Sequence, residues 1–221
     1  MKKLIAPSVL SSDFTRLGDE IEALKIAGAD WLHVDVMDGH FVPNLTLGVP
    51  IVEALARTNP PPLDIHLQIE KPEDFADMFI DAGGESVHGI TLQYETCTLL
   101  HSSLRRIKDR GVSAGVAISP MTPLSAIEEV LEYADMILVM TVEPGFPGQR
   151  FIESMVPKVK HLRDIIDVSD YDPLIQVDGG IKLDNIRMIS EAGADVIVSG
   201  SGIFGQPDYS DIIKKMRAEM G

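Results

Sequence analysis

The chain has 221 residues, a formal charge of −15, 45% hydrophobic content and a single cysteine. That length holds one large α/β domain or two small ones, with enough apolar residues for a sizeable core. The acidic balance argues against a nucleic-acid partner. No apolar run reaches the ~18 residues of a membrane span, and a lone Cys97 excludes an internal disulfide and fits a reducing, cytoplasmic setting. The first residues carry two lysines and a short apolar stretch, but Pro7 and Ser11-Ser12-Asp13 cut it off, so no signal peptide is expected.

In chain order, the predicted strands are Leu4–Val9, Trp31–Val36, Leu63–Gln68, Gly89–Gln93, Val112–Ile118, Met136–Met140, Leu174–Asp178 and Val196–Ser199. Helices fit between and after them over about 13–27, 48–57, 72–82, 98–110, 123–132, 151–166, 182–191 and 208–219. In the first, Leu17, Ile21 and Leu24 lie on one helical face, and Gly28 stops it. The stop Ala27-Gly-Ala-Asp30 returns as Ala192-Gly-Ala-Asp195, with weaker copies at Asp81-Ala-Gly-Gly84 and Tyr133-Ala-Asp135. Several strands are apolar on both faces, as a parallel sheet covered by helices requires. Eight β/α units in so short a chain predict a single (β/α)8 TIM barrel over residues 1–221. The rival is an open doubly wound sheet, whose first turn is glycine-rich; here that turn is Pro7-Ser-Val-Leu-Ser-Ser12.

Active sites of such barrels lie at the C-terminal ends of the strands. His33, Asp35, His66 and Asp178 all fall there, with Ser8 after the first strand. His33 and Asp35 share a face because strand side chains alternate. Two imidazoles and two carboxylates suit one divalent metal ion: Zn²⁺ first, with Fe²⁺, Mn²⁺ or Co²⁺ as alternatives. Carboxylates beside a metal fit proton abstraction next to a carbonyl. Asp64 and Asp30 read as solvated or capping residues.

A second group is glycine-rich. Glu143-Pro-Gly-Phe-Pro-Gly-Gln149 follows the sixth strand, Asp178-Gly-Gly180 the seventh and Ser199-Gly-Ser-Gly202 the eighth. Loops after strands 7 and 8 with a helix N-terminus are the usual phosphate site of this fold. Met37 and Met140 end strands and are candidates for an apolar lid.

Ala6-Pro-Ser8, the stretch His33–Asn44, Asp64-Ile-His-Leu67, Val139–Gly145, Val177-Asp-Gly-Gly-Ile181 and the Gly200-Ser201 turn resemble, in order, the motifs of the ribulose-phosphate 3-epimerase family. The resemblance covers essentially the whole chain. It implies a barrel that interconverts D-ribulose 5-phosphate and D-xylulose 5-phosphate in the pentose phosphate pathway. It implies a metal held by His33, Asp35, His66 and Asp178, with Asp35 and Asp178 as the proton-transfer pair. Ser8 and His66 would touch the sugar. Gly145, Phe146, Pro147, Gly148, Gly179, Gly180, Gly200 and Ser201 would line the phosphate end. The partner implied is a small phosphorylated sugar, with no membrane partner and a homo-oligomer as the assembly.

Four positions depart from that pattern. Gln68 stands where the family has methionine, and Thr91-Leu-Gln93 where it reads Thr-Val-His, unless Ser86-Val-His88 takes that register. Ser119 replaces the asparagine of an Asn-Pro loop, and Pro147 replaces a glycine. Intact metal and proton-transfer residues favour ordinary drift. The alternatives are a 3-epimerase of a ketohexose phosphate such as allulose 6-phosphate, a metal-dependent sugar-phosphate aldolase and a non-catalytic sensor. A Schiff-base aldolase would need a strand-end lysine, and no predicted strand core has one.

Overall fold

The structure is a computed structural model that describes residues 2–221; Met1, the first residue of the expected barrel, lies outside them. Eight parallel strands form one sheet: β1 (Leu4–Pro7), β2 (Leu32–Met37), β3 (Leu63–Gln68), β4 (Val87–Gln93), β5 (Ser113–Ile118), β6 (Met136–Met140), β7 (Leu174–Asp178) and β8 (Val196–Ser199). They pair in the order β1-β8-β7-β6-β5-β4-β3-β2. Between β1 and β2 the ring closes: Asp30 and Trp31 N–H donate to the Ile5 carbonyl at 3.0 and 3.4 Å, and Ser8 bridges His33. The open doubly wound sheet is thereby excluded.

Helices α1 (Leu17–Ile26), α2 (Val49–Ala56), α3 (Ala76–Gly83), α4 (Leu100–Asp109), α5 (Met155–Asp167), α6 (Ile186–Glu191), α7 (Ser201–Phe204) and α8 (Tyr209–Met220) surround the strands. The main core lies between strands and helices, where Val34, Ile65, Ile90 and Val116 meet Ile21, Leu24, Leu55 and Leu104, all at most 1% exposed. The opposite strand faces form the inside of the barrel. There the apolar clusters are small, one around Ala6, Met136 and Val198 and one around Ala117, Leu138 and Met140. The rest of that interior is polar: His33, Asp64, His66, Thr91, Gln93 and Gln176 are each 0% exposed. Burying polar groups is costly unless they are hydrogen-bonded, so this interior carries a requirement that the outer core does not. Among the described residues, no helix is long and apolar enough to cross a membrane.

Several boundaries differ from expectation for physical reasons. β1 stops at Pro7, which has no N–H for the ladder, and Val9–Ser11 turns as a 3-10 helix. β4 begins two residues before the expected Gly89. Thr91 pairs with His66, so Thr91-Leu-Gln93 forms the upper end of β4. His88 sits at the lower end, stacked on Trp31 with ring centroids 4.3 Å apart. The expected helix 123–132 is two 3-10 turns, Leu124–Ala126 and Glu128–Val130. Glu128, Glu129 and Glu132 crowd its C-terminal half, where the helix dipole disfavours negative charge. The helix expected from residue 151 starts at Met155, which puts Pro157 in the first turn, where its missing N–H does no harm. The helix expected over 182–191 starts at Ile186, after a turn in which Asn185 Oδ1 accepts the Lys182 N–H at 2.8 Å. The short α7 begins at the Gly200-Ser201 turn, the helix N-terminus expected after the eighth strand, and ends at Phe204, before α8.

Candidate active site

The upper ends of β2, β3 and β7 bring His33, Asp35, His66 and Asp178 together. One ligand atom from each lies within 4.8 Å of every other. The ladder explains the arrangement: Asp35 pairs with His66 across β2 and β3, while Asp178 comes from β7 on the far side of the ring. His33 Nε2 is 3.3 Å from Asp35 Oδ1 and 4.0 Å from Asp178 Oδ2, and His66 Nδ1 is 3.7 Å from Asp35 Oδ1.

The other ring nitrogen of each histidine is occupied. His33 Nδ1 donates to Asp64 Oδ2 at 2.7 Å, and the same oxygen accepts from Gln176 Nε2. His66 Nε2 donates to Gln93 Oε1 at 2.9 Å. Asp64 is therefore neither solvated nor capping: it is 0% exposed and fixes the His33 ring from below. Its position one residue after Leu63 on an inward-facing strand was the available signal, and apolar neighbours masked it. Asp30 does cap, accepting the Ile5 N–H at 2.9 Å. His33 Nε2 and His66 Nδ1 are buried without a hydrogen-bond partner. Two orphaned nitrogens aimed at two carboxylates are what a divalent cation requires, and ligand histidines generally donate their second N–H to an acceptor in this way. The residues fit a metal ion.

Electrostatics separate the two carboxylates. Burial raises the proton affinity of Asp35, but attraction to His33 and His66 outweighs it and holds the group well below the usual carboxylate range. Ser8 Oγ and Gln68 Nε2 also donate to its two oxygens, at 2.6 and 2.7 Å. Burial and then the Asp35 charge push Asp178 up to about 6. Burial lowers the pKa of His33, yet Asp35 and Asp64 together raise it well above 6.5. A cation binding there displaces that proton.

Above the cluster lies a cleft of about 530 Å³, counting its open mouth. Ser8, Asp35, Gln68 and Asp178 line its floor, with Met37 and Met140 beside them. Gly145, Phe146, Pro147, Gly148, Gly179, Gly180, Gly200 and Ser201 all line it as well. His66 does not; it lies beneath the floor, fully buried. Gly179 and Gly180 have φ of 126° and 69°, and a Cβ on Gly180 would come within 2.5 Å of the Phe151 nitrogen. Only glycine passes there. Among the described residues, the N–H groups of Gly179, Gly180 and Gly200 donate to no protein acceptor.

The sequence profile of the Ribulose-phosphate 3 epimerase family matches residues 4–204. The chain belongs to that family. It is 45% identical over 214 residues to the ribulose-phosphate 3-epimerase of Synechocystis sp., covering 97% of this chain and 93% of that protein. It is also 45% identical over 216 residues to the ribulose-phosphate 3-epimerase of Bacillus subtilis, covering 96% and 97%. A Mycobacterium tuberculosis tryptophan synthase structure superposes with a TM-score of 0.69, covering 99% of this chain and 93% of that one, at 14% identity. That likeness is one of barrel fold. Family membership makes this chain an enzyme, an epimerase built on a TIM barrel.

Proposed function

We propose that the protein interconverts D-ribulose 5-phosphate and D-xylulose 5-phosphate by moving a proton at C3. The observation that carries this reading is the pair of carboxylates on opposite sides of one cleft floor, with proton affinities driven apart. Asp35 is ionised and takes the C3 proton as base. Asp178, whose proton affinity burial and the Asp35 charge raise, is the member that returns a proton to the other face. The roles exchange when the reaction runs backwards.

His33, Asp35, His66 and Asp178 are the residues that would hold a divalent cation. Such an ion, when bound, supplies positive charge against the oxygen anion that develops as the proton leaves, in a protein already strongly acidic. Zn²⁺ suits two nitrogens and two carboxylate oxygens, as do Fe²⁺, Mn²⁺ and Co²⁺. Ser8 keeps Asp35 aimed and touches the sugar. The free N–H groups of Gly179, Gly180 and Gly200 are donors for the phosphate, so an anion binds locally despite the net charge of −15. The apolar surfaces of Met37 and Met140 keep water from the reacting carbon.

Turnover of ribulose 5-phosphate in D₂O tests the reading. The product should carry deuterium at C3. Product that forms without deuterium at C3, or absence of turnover in metal-loaded protein, removes it. Full activity in protein shown by elemental analysis to hold no metal removes the Lewis acid and leaves the carboxylate pair.

A further inference from the structure

His66 has two ring nitrogens and only one can present a lone pair to a cation, so something must decide which nitrogen carries the proton. The chain of hydrogen bonds leading away from the site makes that decision. Glu95, just past β4, accepts from Gln93 Nε2 through Oε2 at 2.6 Å. An ionised carboxylate only accepts, so it must face the NH₂ of the amide. Burial raises the pKa of Glu95, but hydrogen bonds from Thr122, Ser119 and Gln93 outweigh it and keep the group below its ordinary range. With its NH₂ so held, and Ser119 Oγ taking a second bond from it at 3.2 Å, Gln93 turns Oε1 toward His66. That oxygen can only accept, which puts the ring proton on Nε2 and the lone pair on Nδ1, the orphaned atom that faces Asp35.

We propose that Glu95 is a positioning residue for the metal site, selecting the metal-binding tautomer of His66 through the amide of Gln93. The inference rests on the metal reading above. It adds a residue that touches neither substrate nor cation and does not line the cleft. Without the Glu95 charge the amide loses the partner that orients it. A flipped Gln93 offers NH₂ to His66, draws the proton to Nδ1 and blocks coordination.

Glu95 has a second task that must be kept apart from the first. Its Oε1 accepts the Ser119 N–H at 2.8 Å and the Thr122 hydroxyl, tying down the loop after β5. A mere loop anchor would affect the site through loop order. The test therefore pairs variants and reads Zn²⁺ affinity by competitive titration of chelator-stripped protein. Glu95→Gln should weaken Zn²⁺ about 10–100-fold, the usual effect of losing a residue that orients a ligand. Thr122→Val, which removes one of the two loop contacts of Glu95 but leaves the amide alone, should stay within about two-fold of wild type, a margin well inside the ten-fold that 1.4 kcal/mol represents. In a Gln93→Leu background, Glu95→Gln should cause no further loss, because the intermediary is gone.

Long-range ¹H–¹⁵N spectra of the stripped protein supply a readout that needs no metal. Wild-type His66 should carry its proton on Nε2, and Glu95→Gln should move part of the population to Nδ1. The proposal is overturned by wild-type affinity in Glu95→Gln, by equal losses in both backgrounds, by a matching loss in Thr122→Val, or by an unchanged tautomer. If His66→Ala keeps full Zn²⁺ affinity, the metal reading itself fails, and the tautomer spectra still decide whether Glu95 controls His66.

Discussion

Aspartates close both ends of the barrel, and they are partnered in opposite ways. At the lower end Asp30, Asp135 and Asp195 each precede a strand and each accept a strand N–H: from Ile5, Ala114 and Ile175, all at 2.9 Å. Each also meets a cation: Arg217 and Lys2 at Asp30, Lys108 at Asp135 and Arg163 at Asp195. The recurring Ala-Gly-Ala-Asp and Tyr-Ala-Asp stops are therefore one structural device used three times. At the upper end the Asp178 carboxylate receives no hydrogen bond among the described residues, and the atoms facing Asp35 include two histidine nitrogens without partners. The lower carboxylates hold the ring together, whereas the Asp178 carboxylate, left without a donor, keeps capacity for a proton or a cation. Asp64 combines the two: its Oδ2 is bonded to His33 and Gln176, while its Oδ1 is buried without a partner.

The sharpest break in this comparison comes from the upper pair. Asp35→Asn and Asp178→Asn should each lower kcat by about 10²–10⁴, the range of a positioned acid or base. Neither removes a strand N–H acceptor, so both variants should unfold near the wild-type midpoint. Near-normal turnover in either would take that residue out of the proton path. Asp64→Asn should act one step back. It keeps the volume but withdraws the charge from the His33 N–H, and Zn²⁺ affinity should fall about 10–100-fold. An affinity equal to wild type would make Asp64 a packing residue that happens to touch His33.

The barrel was legible because its signals are local and repeated: glycine stops, apolar strands and a helix between most of them. The convergence of His33, Asp35, His66 and Asp178 was legible from strand ends, since closing the ring forces β2, β3 and β7 to converge there. What stayed hidden depends on contacts across the ring. Gln176 and Asp64 lie 112 positions apart, so nothing local marks Asp64 as buried. Glu95 stays a surface residue, and only its bonds to Gln93 and to the loop after β5 mark it. The failed helix at 123–132 shows the reverse case: Leu124, Ile127 and Leu131 have helical spacing and are buried, yet the chain around them turns in i→i+3 steps. Spacing alone cannot separate a 3-10 pair from one helix.

At the saturated end the expected effect is on stability. Asp195→Ala removes the acceptor of the Ile175 N–H and the partner of Arg163, whose side chain is only 20% exposed. An unsatisfied buried donor costs about 1–3 kcal/mol, read as a lower urea midpoint with kcat unchanged. A kcat loss in protein that is still fully folded would show that the two ends are coupled, against the division drawn above.

Gln68 should give the smallest effect, and it sharpens the comparison from within the site. Its Nε2 donates to Asp35 at 2.7 Å, while its Oε1 is buried without a partner in a residue that lines the cleft. Gln68→Met removes one donor from Asp35, but Ser8 still holds the other oxygen at 2.6 Å, and a methionine fills similar space. The lost hydrogen bond also makes Asp35 a slightly stronger base, which offsets part of the loss in aim. The value of kcat/KM for ribulose 5-phosphate should therefore change less than about ten-fold, or 1.4 kcal/mol. The same assay run with allulose 6-phosphate decides whether the orphaned Oε1 is there for a longer sugar. If wild type prefers the hexose phosphate ten-fold and Gln68→Met abolishes that preference, Gln68 is a specificity residue and the pentose assignment falls.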